Sequence, residues 1–269
     1  MTTHISVPPA AIGSAAQRLE RAFAERTPCE PVRDLLGTDD IAAAYAVQQR
    51  LVQARLDADA IITGRKIGLT SPAVQAQLGV DQPDFGVLFA DMDVSALDEV
   101  PSARLLQPKA EAEIAFRLGA DLAEGELDLA QVRAAVSGVV AALEIVDSRV
   151  AGWDITITDT VADNASSGLY VLGERWFTLD EVEPREVTMR MFVDDQLVSS
   201  GDGAACLGDP LIALAWLART AREYGQPLRA GQVVLSGALG PMAPTPPGTV
   251  VRAELSTLGT VTARFSKDR

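Results

Sequence analysis

Hydrophobic side chains recur at helical spacing through the first sixty residues. Between residues 10 and 26 they lie three and four positions apart, which predicts an amphipathic helix. The same period later predicts a second helix starting at Thr38, because Thr38 can cap the first amides and Asp39 and Asp40 suit the positive end of a helix dipole. The two apolar stripes are Ile12, Ala15, Ala16, Leu19, Ala22 and Phe23, then Ile41, Ala44, Tyr45, Leu51, Val52 and Leu56.

Beyond residue 60 the pattern changes to short apolar runs and strict alternation. IITGRKIGLT (61–70) and the segment after DQPD predict strands, and EVTMRMFVDDQLVSSG predicts a hairpin that turns at Asp194 and Asp195. The segment from Asp209 to Gly225 predicts a helix, because an Asp-Pro start and a glycine stop bound its apolar stripe. Further strands and a last hairpin complete the chain.

These elements predict an α+β fold with one structural unit. A helical N-terminal section, residues 1–60, packs on a β-rich body, residues 61–269, and strands do not alternate regularly with helices. With 269 residues, 48% of them hydrophobic, the chain can bury a large core.

Charge and rare residues narrow the function. The net charge of −14 disfavours nucleic acids and anionic membranes as partners, because both require a basic surface. The only histidine is His4, so a Ser-His-Asp triad and a histidine-ligated zinc site are disfavoured. Two widely separated cysteines, no signal peptide and no membrane-spanning apolar run predict a cytoplasmic protein.

The segment KAEAEIAFRLG carries two carboxylates inside an apolar strand pattern. Side chains two apart share one face of a strand, so Lys109, Glu111 and Glu113 project the same way. Two buried like charges repel, and a divalent cation such as Mg²⁺ or Mn²⁺ removes that penalty. The alternative is that the pair lies on the solvent face of an edge strand.

A third ligand would come from VVAALEIVDSRV, where Glu144 has apolar neighbours on both sides. A carboxylate in such surroundings needs a partner. That partner is either the same cation or an arginine.

Two further segments carry candidate acid–base groups. Lys66 lies inside an apolar strand, where desolvation would lower its pKa and suit it to proton transfer; the alternative is a surface lysine. Asp84 lies in the proline turn DQPDFG, where an aspartate also has a purely structural use.

Small polar residues mark two candidate substrate contacts. Asn164, Ser166 and Ser167 could present hydroxyl and amide groups to an anion, or they could simply cap a loop. Ser236 lies at the end of another strand, in LSGALGPM.

Six segments together resemble one enzyme family. They are GRKIGLTSPAVQAQLGVDQPDFGVLFADM, KAEAEIAF, ALEIVDSR, DTVADNASSGLYVLG, SSGDGAACLGDPLIALAWLAR and LSGALGPM. In this order and spacing they resemble the 2-hydroxypenta-2,4-dienoate (2-keto-4-pentenoate) hydratases of the fumarylacetoacetate hydrolase superfamily. Each segment alone is weakly specific, but the ordered set spans most of the chain, from about residue 31 to residue 265.

The resemblance implies a mixed β-roll fold and a Mg²⁺- or Mn²⁺-dependent hydratase of meta-cleavage catabolism, acting on a small 2-hydroxy or 2-oxo acid. It assigns Glu111, Glu113 and Glu144 to the metal, Lys66 and Asp84 to proton transfer, and the serines of DNASSG to the substrate. It also implies a homo-oligomer that associates with a decarboxylase or aldolase of the same pathway.

Three alternatives stay open at this point. A 4-oxalocrotonate-type decarboxylase would need a cation for a second carboxylate, with Arg65, Lys109 and Arg149 as candidates. An acylpyruvate hydrolase is disfavoured by the lack of a histidine to activate water. A non-catalytic partner subunit of a hydratase–decarboxylase complex would show no activity by itself.

Overall fold

Three helices precede the first strand. A computed structural model describes residues 7–71, 75 and 82–268 of the chain, so His4 lies outside the described residues. Helices α1 (Pro9–Glu25), α2 (Arg33–Leu36) and α3 (Ile41–Asp57) lie within the first sixty residues.

Two details of the predicted helices are wrong. The N-cap of α3 is Asp40 and not Thr38, because the Asp40 carboxylate accepts a hydrogen bond from the amide of Ala43 at 2.9 Å. Phe23, assigned to the buried stripe of α1, remains 49% exposed. The stripe otherwise holds, since Ala15, Leu19 and the neighbouring alanines are buried.

The body contains eleven strands and three more helices among the described residues. In chain order these are β1 (Ile62–Gly68), β2 (Asp84–Phe89), β3 (Lys109–Leu118), α4 (Leu129–Ala135), β4 (Val136–Val146), α5 (Ile157–Ala162), β5 (Leu169–Leu172), β6 (Thr188–Val193), β7 (Gln196–Asp202), α6 (Pro210–Glu223), β8 (Val233–Ala238), β9 (Ala243–Pro244), β10 (Val250–Leu255) and β11 (Gly259–Arg264).

The strands form two sheets. The larger is mixed, in the order β2-β1-β8-β3-β4-β5, with β9 paired to β3 and with β1 parallel to β8. The smaller is antiparallel, in the order β11-β10-β6-β7. The predicted α+β class with a mixed, curled sheet is confirmed, and so is the hairpin turn, where Asp194 and Asp195 both adopt positive φ angles.

Helix α6 begins as the sequence predicts. The Asp209 carboxylate accepts from the amide of Leu211 at 2.8 Å, Pro210 is the first helical residue, and Gly225 follows the helix with φ of 73°. No helix among the described residues is long and apolar enough to cross a membrane.

The strand order brings distant sequence segments side by side. Strands β1, β8, β3 and β4 are consecutive neighbours in the larger sheet. They carry Lys66, Ser236, the Glu111–Glu113 pair and Glu144, respectively. One region of this sheet therefore collects most of the chemically notable residues that the sequence analysis identified.

Candidate metal centre and active site

Three glutamates meet at the centre of the larger sheet. Glu111 lies directly opposite Glu144 in the β3–β4 register, and Glu113 lies two residues along the same face of β3. One carboxylate oxygen from each lies within 4.8 Å of the others. Glu113 and Glu144 are 0% and 1% exposed, and β3 has neighbours on both sides, so the alternative of a solvent-facing edge strand is wrong.

The three carboxylates have few partners within the fold. Glu113 Oε2 accepts a hydrogen bond from the amide of Gly237 at 2.8 Å, but Glu113 Oε1 and Glu144 Oε2 have no hydrogen-bond donor among the described residues. Glu144 Oε1 makes an ion pair with the Lys66 ammonium at 3.2 Å. Burial raises the pKa of Glu113 well above its usual range, and the charges of Glu144 and Glu111 raise it further. Convergent, unsatisfied carboxylate oxygens fit a hard divalent cation, which prefers such ligands.

Lys66 lies beside this cluster. Its ammonium lies 3.2 Å from Glu144 Oε1 and donates to the carbonyl of Ala165 at 2.9 Å. It is only 3% exposed, so the surface alternative is wrong. Burial lowers its pKa, but the carboxylates around it, Glu144 foremost, outweigh burial and raise the pKa above its usual range. The predicted lowered pKa of Lys66 is therefore wrong, because the neighbouring charges outweigh desolvation.

Asp84 approaches Lys66 from the neighbouring strand. The two side chains extend over Gly68, where an added Cβ would lie 2.2 Å from Asp84 Oδ1 and 3.4 Å from Lys66 Nζ. The ion pair of Lys66 is nevertheless with Glu144. Asp84 Oδ2 instead accepts from the hydroxyl of Thr160 at 3.3 Å, and Asp84 Oδ1 has no donor among the described residues. Burial raises the pKa of Asp84, which favours its protonated form.

The DNASSG segment forms a left-handed turn above these strands. Asn164, Ala165 and Ser166 all have φ between 51° and 54°, a region that costs L-residues energy. The turn places the Ala165 carbonyl on Lys66, and the Ser166 hydroxyl lies 3.2 Å from that of Thr160. The position of this turn explains why residue 86 is a glycine, because a Cβ on Gly86 would lie 2.4 Å from the Asn164 carbonyl oxygen.

The four predicted substrate contacts have different surroundings. Both side-chain groups of Asn164 bind the backbone of Val87, with Oδ1 accepting at 2.8 Å and Nδ2 donating at 2.9 Å. The Ser167 hydroxyl donates to the Asn164 carbonyl at 2.7 Å. Ser236 is fully buried, and its hydroxyl has no partner among the described residues. Ser166 and Ser236 therefore remain the better placed candidates for substrate.

One cavity of the protein lies away from the three glutamates. A groove of about 640 Å³ runs between helices α1 and α3 and the body, and its lining includes Phe23, Ile61, Asn164 and Ser167 but none of the three glutamates. The candidate site is identified by the clustered carboxylates of the larger sheet, some of whose buried oxygens lack hydrogen-bond donors among the described residues, and not by this cavity.

Sequence reasoning missed two contributors to the site. Thr160 lies in α5 within DTVADNASSG, and its role became visible only when the fold placed it against Asp84. Gly237 donates to Glu113 through its amide while adopting φ of 113°, a conformation that strongly favours glycine. The strand-end glycine in LSGALGPM was the available signal.

A mixed, curled sheet that brings three carboxylates together beside a lysine could hold a divalent metal ion. The profile of the fumarylacetoacetate (FAA) hydrolase C-terminal family matches residues 67–266, and the chain belongs to this family.

Within the family, the chain is similar to hydratases. It is 52% identical over 257 residues to the TodF product hydratase of Pseudomonas putida strain F1, covering 96% of each chain. It is 47% identical to 2-keto-4-pentenoate hydratase 2 of Dechloromonas aromatica strain RCB, covering 99% of this chain and 100% of that one.

A solved structure is similar over nearly the whole chain. The 4-oxalocrotonate decarboxylase from Pseudomonas putida G7, complexed with magnesium and adipate, superposes with a TM-score of 0.90 at 33% identity. The match covers 97% of this chain and 100% of that one.

Proposed function

We propose that the protein is a hydro-lyase that adds water to 2-hydroxypenta-2,4-dienoate or a close homologue and forms a 4-hydroxy-2-oxoalkanoate in meta-cleavage catabolism. The observation that carries the proposal is the cluster of Glu111, Glu113 and Glu144 beside Lys66, in which Glu113 and Glu144 are buried and Glu111 is partly buried. Its support is the similarity of nearly the entire chain to hydratases at 47% and 52% identity.

Glu111, Glu113 and Glu144 would hold the cation, which we propose to be Mg²⁺ or Mn²⁺. When bound, it supplies a Lewis acid for the negative charge that develops on the 2-oxygen of the substrate. The Gly237 amide fixes one oxygen of Glu113 and leaves the other available to the cation.

Lys66 and Asp84 supply the proton-transfer groups. In the first half of the reaction the 2-hydroxyl proton leaves and the terminal carbon of the diene gains a proton, which gives a conjugated 2-oxo-3-alkenoate. Asp84 suits the donor role, because burial raises its pKa and Thr160 holds one of its oxygens at 3.3 Å. The Lys66 ammonium, held by the Ala165 carbonyl and by Glu144, is the second proton carrier of the pair, and its charge also stabilises the negative charge that develops on the substrate.

In the second half, water adds across the conjugated double bond. The hydroxyl joins carbon 4 and a proton joins carbon 3, so all the atoms of the added water remain in the product. Ser166 and Ser236 are the hydroxyls that we assign to substrate and water, since Ser236 is buried without a partner among the described residues.

The decarboxylase alternative draws on the solved structure with a TM-score of 0.90. One of its three candidate cations is engaged elsewhere, because the Arg149 side chain bonds to Asp163. The Arg65 side chain donates to Gly64 and Gln226, but its buried Nε has no partner among the described residues. Lys109 lies over the ring of Trp153, 4.3 Å from its centroid. Recognition of a second carboxylate would therefore depend on Arg65 or Lys109. The similarity to hydratases is what favours a monocarboxylate as the substrate.

The deciding experiment follows freshly generated 2-hydroxypenta-2,4-dienoate by its diene absorbance, with EDTA and with added Mg²⁺ or Mn²⁺. We expect rapid loss of absorbance with metal, none with EDTA, and no release of carbon dioxide. Carbon dioxide release from a 4-oxalocrotonate-type dicarboxylate with no turnover of the diene would establish the decarboxylase instead. An inactive pure protein would support the partner-subunit alternative.

We also propose a cytoplasmic homo-oligomer, which associates with a decarboxylase or aldolase of the same pathway. Support for self-association comes from Phe23 and Ile61, which are 49% and 66% exposed beside the apolar groove. Light scattering coupled to size-exclusion chromatography tests this, and a stable monomer would contradict it.

A further inference from the structure

Helix α3 sends two polar side chains into the body of the protein. Tyr45 and Gln48 are 4% and 2% exposed, so each requires hydrogen-bond partners inside the fold. Their partners are backbone groups of Phe85, which follows the proposed proton donor Asp84, and of Val161, which follows Thr160. This position is notable because the family profile begins at residue 67, after α3 has ended.

Gln48 joins two separate backbone segments. Its Nε2 donates to the carbonyl of Phe85 at 2.9 Å and to the carbonyl of Val161 at 3.0 Å. Phe85 directly follows Asp84 in β2, and Val161 directly follows Thr160 in α5. One amide group therefore ties together the two segments whose side chains meet in the Asp84–Thr160 hydrogen bond.

Tyr45 acts on the same residue. Its hydroxyl accepts from the amide of Phe85 at 3.3 Å, and its ring stacks on the Phe85 ring with centroids 4.7 Å apart. Strand β2 lies at the edge of the larger sheet. The backbone groups of β2 that face away from β1 therefore bond to side chains. Those of Phe85 bond to Tyr45 and Gln48, and those of Val87 bond to Asn164.

We propose that Gln48, assisted by Tyr45, is a positioning residue that sets the placement of Asp84 against Thr160 for proton transfer. The inference rests on the proposed function, in which Asp84 is the proton donor. It gives the N-terminal helical section a part in the chemistry, because a side chain of α3 controls two segments of the active site.

The test removes both donors of Gln48 while keeping its length and most of its volume. Gln48→Met should lower kcat by about 10-fold to 10²-fold, since a small misplacement of a reacting group has effects of this size. KM and the dissociation constant for Mn²⁺ should stay within about twofold of wild type, because neither the glutamates nor the serines bond to Gln48. Tyr45→Phe should change kcat in the same direction by less.

Two comparisons separate positioning from general destabilisation. Ser102→Ala removes a buried hydrogen-bond donor outside the site, since the Ser102 hydroxyl donates to the Ser266 carbonyl at 2.7 Å. This variant should have a lower Tm and an unchanged kcat. In an Asp84→Asn background, Gln48→Met should cost less than about twofold in kcat, because the residue that it positions is already disabled.

The inference is overturned by a Gln48→Met enzyme with wild-type kcat, or by an equal loss in both backgrounds. If Gln48→Met fails to fold, the same cycle with Tyr45→Phe decides. Wild-type protein without hydratase turnover would overturn the proposed function and this inference with it, whereas an active wild type with an unaffected variant overturns the inference alone.

Discussion

Replacing Glu113 by glutamine should stabilise the protein when no metal is bound and destabilise it, relative to wild type, when metal is bound. Glutamine keeps an oxygen for the Gly237 amide, which donates to Glu113 at 2.8 Å, and removes one charge from the cluster. Two unit charges 4.8 Å apart repel by about 3.5 kcal/mol at an effective dielectric constant of 20, and Glu113 faces both Glu111 and Glu144 within that distance. The metal-free wild type is therefore destabilised at its own active site.

Proton uptake limits that penalty and gives it a pH dependence. Burial raises the folded-state pKa of Glu113 well above its unfolded value, so the wild type loses stability as pH rises between the two values, by about 1.4 kcal/mol for each pH unit. The amide of the substituted side chain has no proton to lose in this range. In EDTA the variant should thus be the more stable protein at neutral pH, and its advantage should increase as the pH is raised.

Metal reverses the order. A cation at about one hundred times its dissociation constant stabilises the wild type by about 2.7 kcal/mol, which corresponds to a rise in Tm of about 5–10 °C for a chain of this size. The variant has lost one of three carboxylate ligands and should gain less than half of that.

Thermal unfolding in EDTA and in Mn²⁺ measures both effects, with Glu126→Gln as a control that removes one exposed charge. The reasoning fails if Glu113→Gln is no more stable than wild type in EDTA and shows the full Mn²⁺ shift.

Three further predictions follow from the same geometry. Lys66→Met should lower turnover by about 10²-fold or more while Mn²⁺ still binds, because Lys66 contacts Glu144 without being a ligand; near-wild-type turnover would remove Lys66 from the mechanism. Burial raises the pKa of Glu111 to about 7, so protons should compete with the cation and the affinity for Mn²⁺ should fall below about pH 7. Calorimetry in buffers of different ionisation enthalpy should detect proton release on binding. An affinity for Mn²⁺ that is independent of pH would contradict this. Gly86→Ala should lower kcat by at least about tenfold, because its Cβ would lie 2.4 Å from the Asn164 carbonyl oxygen and displace the turn that holds Lys66. The Cβ of the control variant Gly208→Ala meets nothing within 4 Å, so that variant should change only stability. Equal kcat in the two variants would refute the role of the turn.

The sequence predicted those parts of the fold that depend on local chemistry. The period-two alternation around Val187–Val193 and the paired aspartates after it identified the β6–β7 hairpin, since both signals lie within a few residues. Asp209 and Pro210 identified the start of α6 for the same reason. The cap of α3 was misplaced by two residues, because Thr38 and Asp40 are both acceptable caps and only the fold chooses between them.

The candidate site was predictable in its members but not in its contacts. The i, i+2 spacing places Glu111 and Glu113 on one face of β3 without any knowledge of the fold. That Glu144 lies opposite Glu111 depends on the β3–β4 register, and that Gly237 reaches Glu113 depends on the insertion of β8 beside β3. Neither relation has a local signal. The role proposed for Gln48 has no local sequence signal either, since Gln48 lies far from Asp84 in the chain and its partners are main-chain carbonyls.

Lys66 shows why such a site resists inference from neighbours in the sequence. Its flanking strand residues are apolar or uncharged apart from Arg65, and desolvation alone would lower its pKa. The four carboxylates that reverse this shift come from three other strands, β2, β3 and β4, and reach it only through the order of the sheet. The charge state of a buried group is set by its neighbours across strands, so a sequence pattern can nominate a catalytic lysine without determining whether it begins the reaction as an acid or as a base.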